Sequence, residues 1–294
     1  MADGPRLLLT RPLAQARDWS ERLAALGVPT LAFPLIDIVP NEEAGPARQA
    51  WADLHRQALV MFVSPNAVRH FFDHRPDAMA WPDGVLAATV GPGSAQALEA
   101  AGVPAGLIVQ PPPGADSLDS EHLWPEIQRV AGHDWTGRAA LMVRGDGGRE
   151  WLGDRLREAG AQVEAVSVYR RQCPVLDSAG RERLATALRL PQDHVWLFSS
   201  SEAVGYLADM VGEPSGPSGA PTSPECGTDA DTGGSAGTAI SVDWRIVRAV
   251  ATHERIAARA RALGLVHVVL VRPDAAAVAE AFRRLAGSPL ESPT

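Results

Sequence analysis

At 294 residues the chain has room for two ordinary domains and enough apolar material to give each a core. Its apolar and charged fractions, 46% and 21%, are those of a soluble globular protein. A net charge of −8 argues against broad electrostatic binding to nucleic acid. No apolar run reaches the roughly 18 residues of a membrane span, and no signal-peptide pattern stands at the start, so no membrane partner is expected. Cys173 and Cys226 form no CxxC and no disulfide framework, which favours a reducing cytoplasm.

In chain order, residues 6–10 read as a first strand. Pro12 then opens an amphipathic helix that carries Trp19, Leu23 and Leu26 on one side and closes at Gly27. Residues 28–33 predict a strand continuing past Pro34 through residues 35–39. Pro34 and Pro40 confine this extension to an edge or a linker, because neither can donate to a ladder. Residues 59–63 form the next strand, with Ser64 as helix cap and Pro65 in the first helical position. Residues 86–90 are strand again, followed by the turn of Gly91, Pro92, Gly93 and Ser94 and another helix. Residues 106–109 and the prolines after them precede a helix around residues 116–130.

Residues 139–143 read as a short buried strand running into Arg144-Gly145-Asp146-Gly147-Gly148-Arg149-Glu150, a glycine-rich turn that aims amide N–H groups above the strand end. Leu152, Leu156 and Ala159 follow at helical spacing, and Gly160 ends the helix. The strand of residues 161–171, which carries Tyr169, alternates at Val163 and Ala165 and loses its alternation at Val166. A strand of that kind passes from one packing environment to another. The remainder repeats the plan. Ser199-Ser200-Ser201-Glu202 offers a capping box with Ser199 as the cap, and Thr252-His253 opens a helix that ends at Gly264. Residues 212–239, rich in glycine, serine and proline, cannot bury apolar area and read as a mobile, disordered insertion.

Three blocks recur in one order in both halves: the strand and helix closed by Gly27 and by Gly160, Val60–Val68 against Trp196–Val204, and the segments opening at Thr89 and at Ala249. This is the signature of an internal duplication. Strands separated by single helices predict doubly wound parallel sheets, in which ligands sit beyond the C-terminal strand ends over helix N-termini. The residues collected there are Thr10, Arg11, Ser64, Asn66, Gly91, Ser94, Arg144, Gly145, Arg149, Ser199, Ser200 and Thr252. This inventory of small hydroxyls, glycines and arginines has no catalytic carboxylate pair, nucleophilic cysteine or metal cluster. It suits capture of several anionic groups by backbone N–H donors.

Rival motifs are weak. The glycines lack dinucleotide-fingerprint spacing, and the chain contains no lysine for a nucleotide-binding loop. His70 and His74, four residues apart, read as a solvated helix face rather than a metal site. Trp19, Trp151 and Trp196 read as core.

Taken together, the strand before Thr10-Arg11-Pro12, Phe33-Pro34-Leu35-Ile36, Phe62-Val63-Ser64-Pro65-Asn66-Ala67-Val68, Val90-Gly91-Pro92-Gly93-Ser94, Arg144–Arg149, Val168-Tyr169-Arg170-Arg171 and Ala251–Ala257 resemble uroporphyrinogen-III synthase, a cofactor-free enzyme of tetrapyrrole synthesis. The resemblance implies two flavodoxin-like α/β domains joined by a two-stranded antiparallel connector, with the substrate in the cleft between them. Residues 1–35 and 172–294 would form the first domain, residues 40–165 the second, and residues 34–39 and 166–171 the connector. It also implies a monomer with no cofactor and no metal, acting on hydroxymethylbilane, a linear tetrapyrrole rich in carboxylates. The hydroxyl leaves as water, and ring D inverts through a spiro intermediate before closure. Tyr169 matches the family's connector tyrosine. A phenol is protonated at neutral pH and can assist departure of the hydroxyl, although packing alone would also account for the residue. The alternative is a non-catalytic two-domain module that binds or senses an anionic small molecule.

Deleting residues 215–237 is expected to leave turnover of hydroxymethylbilane intact. A folded deletion variant that has lost activity in a coupled porphyrin assay would make the insertion functional.

Overall fold

Leu7, Leu8 and Leu9 are all wholly buried, as a strand covered on both faces requires. The computed structural model describes residues 4–77, 79–112, 117–147, 150–212 and 242–287. Three groups of elements follow one another. The first is β1 (Arg6–Leu9), α1 (Leu13–Ala24) and β2 (Thr30–Ala32). The second is β3 (Asp37–Pro40), α2 (Gly45–Ala52), β4 (Gln57–Phe62), α3 (Pro65–Phe72), β5 (Leu86–Thr89), α4 (Pro92–Ala100), β6 (Ile108–Val109), α5 (Ser120–Ala131), β7 (Ala139–Gly145), α6 (Trp151–Glu158) and β8 (Gln162–Gln172). The third is α7 (Ser178–Arg189), β9 (His194–Phe198), α8 (Ser201–Met210), β10 (Arg248–Ala251), α9 (Glu254–Ala262), β11 (His267–Leu270) and α10 (Ala275–Gly287). The chain divides into two units, Met1–Asp37 with Gln172–Thr294, and Ile38–Arg171.

In the discontinuous unit the strands lie in the order β11-β10-β9-β1-β2, every neighbouring pair parallel. Ala16, Trp19 and Leu23 recur at helical spacing on α1 and pack with Leu7, Leu9, Val195, Leu197 and α10. On the alternate positions Trp196 stacks on Phe198 and meets Phe33 edge-on. The Arg248 guanidinium, 3% exposed, ties this unit together. It donates to the carbonyls of Leu285 at 2.6 Å, Pro191 at 3.0 Å and Gln192. Burial lowers its pKa, and Asp193 acts in the opposite direction.

The other unit orders its strands β3-β8-β7-β4-β5-β6. Alternation along β4 serves two cores. Val60 and Phe62 join Trp51, Phe71, Trp81 and Leu98 on the side of α2, α3 and α4, while Leu59 and Met61 join Ile127, Trp135, Leu152 and Leu156 on the side of α5 and α6. Helices thus cover both faces of this sheet, the doubly wound arrangement that the periodicity predicts. Gly160, expected to end α6, has φ +100°, and a Cβ there would stand 2.9 Å from the Thr136 hydroxyl.

Two local expectations are corrected, over residues 28–39 and at Cys173. Residues 28–39 are not one strand: β2 and β3 belong to different sheets, and residues 33–36 between them are irregular. Pro34 cannot donate, while the N–H groups of Phe33 and Leu35 go to Leu9 and Thr10 carbonyls beside β1. The single strand expected over residues 161–171 is β8, which pairs with β7 as far as Tyr169. Cys173 is disulfide-bonded rather than an isolated thiol, and the chain's other cysteine, Cys226, lies outside the described residues. Disulfide pairing is set by the fold and not by sequence spacing. The insertion at 212–239 lies outside the described residues beyond Gly212. No helix among the described residues is long and apolar enough to cross a membrane.

Replacing Arg248 with Met strips two buried carbonyls, those of Leu285 and Pro191, and the part-buried one of Gln192 of their donor. It is expected to lower stability by about 2 kcal/mol, read as a shift of the urea midpoint of the full chain.

Candidate functional site

Parallel pairing brings the C-terminal ends of β1, β9 and β10 to one edge of their sheet, and with them Thr10, Arg11, Ser199, Ser200 and Thr252. The hydroxyls there are largely committed to main chain. Thr10 is fully buried and donates to the Leu197 carbonyl at 2.7 Å, locking β1 to β9. Ser200, not Ser199, caps α8, its Oγ accepting the Glu202 N–H at 3.1 Å. The cap is therefore one residue later than expected, and Ala203, three residues after it, cannot complete a capping box; β9 ends at Phe198 and leaves both Ser199 and Ser200 before the helix. Thr252 is half-buried, and its N–H donates to the Phe198 carbonyl. His253 caps α9 by accepting the Arg255 N–H on Nδ1 at 3.1 Å, so its neutral form carries the proton on Nε2.

Arg11 is the cation of this edge. Its guanidinium lies 4.3 Å over the Trp19 ring, and its buried Nε has no partner. Burial first, then the neighbouring Arg22, bring its pKa down to about 10 against the opposing influence of Asp18. It remains charged at neutral pH.

In the other unit β7, β4 and β5 bring Arg144 and Gly145, Ser64, and Gly91 to one edge. Ser64 caps α3, accepting the Ala67 N–H at 3.1 Å. A Cβ on Gly93 would stand 3.7 Å from the Pro65 ring, so the N-termini of α3 and α4 lie side by side. Gly91 is the cap residue of α4, and Ser94 is buried within that helix's first turn. Asn66 is buried, its Oδ1 accepting from Arg69 at 3.3 Å. Arg144 pairs with Glu150 at 3.3 Å above a small recess floored by Val63 and Met142. Arg149 lies outside the described residues.

Tyr169 organises this edge. The β7–β8 register shifts between Arg144 and Gly145, so Arg144 stands opposite Ser167 and Gly145 opposite Tyr169. The extra residue on β8 is Val168, two positions past the pattern break at Val166. A Cβ on Gly145 would fall 2.5, 2.7 and 2.9 Å from three carbons of the Tyr169 ring, so the ring occupies the space that a side chain would need. The phenol oxygen lies 3.2 Å from Ser64 Oγ, and the Arg171 guanidinium sits 6.0 Å from the ring centre. The Tyr169 carbonyl accepts the Asp146 N–H at 3.1 Å, while Ser167 Oγ donates to the Asp146 carboxylate.

Sequence reasoning missed His70. It is buried rather than solvated, its ring centre 5.9 Å from that of Tyr169. Burial lowers its pKa, Arg69 and His74 add to this, and Asp73 at 3.5 Å opposes it. The signal available was its place among Val68, Phe71 and Phe72 on a short helix that packs against two strands. Among the described residues no group of three or more His, Cys, Asp or Glu side chains could hold a metal ion.

Gly145→Ala is expected to lower stability by about 1–3 kcal/mol through overpacking against the ring. In a Tyr169→Ala background the same change should cost much less, a non-additivity that paired melting curves measure directly.

Comparison with known proteins agrees with this architecture. Residues 17–226 match the family model described as uroporphyrinogen-III synthase HemD. The uroporphyrinogen-III synthase of Salmonella typhimurium is 32% identical over 176 residues, spanning 59% of this chain and 68% of that protein. That of Synechococcus elongatus is 30% identical over 213 residues, spanning 71% and 75%. Among solved structures, uroporphyrinogen-III synthetase from Helicobacter pylori aligns with 96% of this chain and 99% of its own at a TM-score of 0.54 and 12% identity. A mutant uroporphyrinogen III synthase from Thermus thermophilus aligns with 96% and 98% at 0.51 and 17%. At these identities the structural likeness speaks for the fold alone, whereas the family model covers well over half of the sequence: the chain belongs to the uroporphyrinogen-III synthase family.

Proposed function

We propose that this chain cyclises hydroxymethylbilane to uroporphyrinogen III, with loss of water and inversion of ring D, by holding the substrate's carboxylates at the strand-end turns of its two sheets. The observation that carries this reading, in a chain of this family, is the gathering of helix N-termini beside arginines at one edge of each sheet. The starts of α3, α4, α8 and α9 each present N–H groups and a partial positive charge. Thr10, Ser200 and His253 already commit side-chain hydrogen bonds to main-chain partners, which favours backbone N–H groups as the anion donors. Arg11, charged and with one unpaired N–H, adds a cation.

The substrate supplies most of the chemistry. Electrons from a pyrrole nitrogen expel the hydroxyl, and the resulting azafulvene is attacked by ring D to give the spiro intermediate through which the ring inverts. The protein's tasks are to fold the linear chain so that the inverted closure is reached first and to protonate the departing oxygen. Positioning of this kind accounts for most of the rate, and Tyr169 assists as the acid.

Incubation with freshly prepared hydroxymethylbilane, followed by oxidation and chromatography of the porphyrin isomers, is expected to yield the III isomer. Recovery of only the product closed without inversion would sink the reading. Tyr169→Phe should turn over about tenfold or more slowly with an unchanged melting temperature, and wild-type turnover would remove the acid role.

A further inference from the structure

Tyr169 is 1% exposed, and the residues around it belong to its own unit: Gly145 against the ring, His70 beside it, and Val143 and Val166 in the same core cluster. A phenol so enclosed does not reach a substrate resting on the edge of the sheet. Its hydroxyl does reach Ser64 Oγ, at 3.2 Å, and Ser64 is half-buried at the start of α3. Ser64 Oγ accepts the Ala67 N–H, so one lone pair is used, another can accept from the phenol, and the serine's own proton is available to point outward. The N-terminus of α3 also favours negative charge on that oxygen as it develops.

Resting on the acid role proposed above for this site, we infer that Ser64 is the catalytic residue that touches the leaving hydroxyl and that Tyr169 supplies the proton through it. The carbon–oxygen bond of the hydroxymethyl group breaks with both electrons on oxygen, and that oxygen takes the Ser64 proton. In the same step Ser64 Oγ takes the phenol proton. Water departs, serine is neutral again, Tyr169 is left as phenolate, and the pyrrole nitrogen's electron pair, entering the ring as a carbon–nitrogen double bond, has pushed a ring π pair out to form the exocyclic double bond of an azafulvenium cation. When the ring closes and the attacked pyrrole gives up its α-hydrogen, that proton returns through Ser64 to the phenolate. No electron or proton is gained overall. The Arg171 guanidinium, 6.0 Å from the Tyr169 ring centre, lies where it favours the transient phenolate.

Ser64→Asn separates this role from helix capping, because asparagine still accepts the Ala67 N–H but has no hydroxyl to pass a proton. In the full chain with hydroxymethylbilane, Ser64→Asn should lower kcat about as far as Tyr169→Phe, by about tenfold or more, at an unchanged melting temperature. The double variant should be no slower than either single one, since the two hydroxyls act as a unit. Ser64→Thr, which keeps the hydroxyl, should recover most of the loss. For the wild type, kcat across mixtures of light and heavy water should curve as two protons in flight require.

A fast Ser64→Asn beside a slow Tyr169→Phe overturns the inference and returns the acid role to Tyr169 alone. Additive losses, or a loss confined to KM, overturn it as well. Wild-type turnover by Tyr169→Phe is a different failure, that of the acid role itself. If Ser64→Asn does not fold, the isotope mixtures decide, and a straight line refutes the relay.

Discussion

Parallel strand pairing is the constraint from which both candidate edges follow. When neighbouring strands run the same way, their C-terminal ends, and the N-termini of the helices that follow, collect on one side of the sheet. Thr10, Ser199 and Thr252 are far apart in the chain, yet they meet because β1, β9 and β10 are in parallel register. Ser64, Gly91 and Gly145 meet for the same reason along β4, β5 and β7. The cores that enforce this register are ordinary: apolar runs buried on both faces, with the helices supplying the cover. Chemistry at the edge therefore depends on packing well beneath it.

Within that arrangement the polar side chains divide their work. Thr10 and Ser200 are bound to main-chain atoms and shape the edge, as does the imidazole of His253. Arg11 and the open N–H groups of the helix starts carry the positive potential, which is the complement expected for a substrate rich in carboxylates. The all-arginine cation set of this chain matters here. A guanidinium keeps its charge even after burial has lowered its pKa, as at Arg11, where a lysine would be more readily neutralised.

Tyr169 shows how a glycine and a strand irregularity can serve a side chain on the neighbouring strand. The register shift places the ring opposite Gly145, and the absent side chain lets the ring settle against the backbone. From that seat the phenol oxygen meets Ser64 at a helix start. Each of the three residues is unremarkable alone, and the pair of hydroxyls exists only because β7, β8 and α3 converge.

The strands and helices were largely legible in the amino-acid order, because burial on both faces writes continuous apolar runs and helix ends write glycine, proline and serine. Ser64 as a cap, Gly160 as a terminator and the continuous apolar run of β4 are of this kind. The family was legible too, from short blocks that keep their order. Less legible were features set by partners distant in the chain. The break between β2 and β3, the choice of Ser200 over Ser199, the disulfide at Cys173 and the burial of His70 all depend on what another segment places alongside. Local sequence by itself determined most of the strands and helices and some of their ends, as at Ser64 and Gly160, since those preferences are settled within a few residues. Only the tertiary structure decided that Gly145 is reserved for the Tyr169 ring and that this tyrosine faces Ser64 rather than solvent, because both are matters of space between strands, which no local pattern encodes.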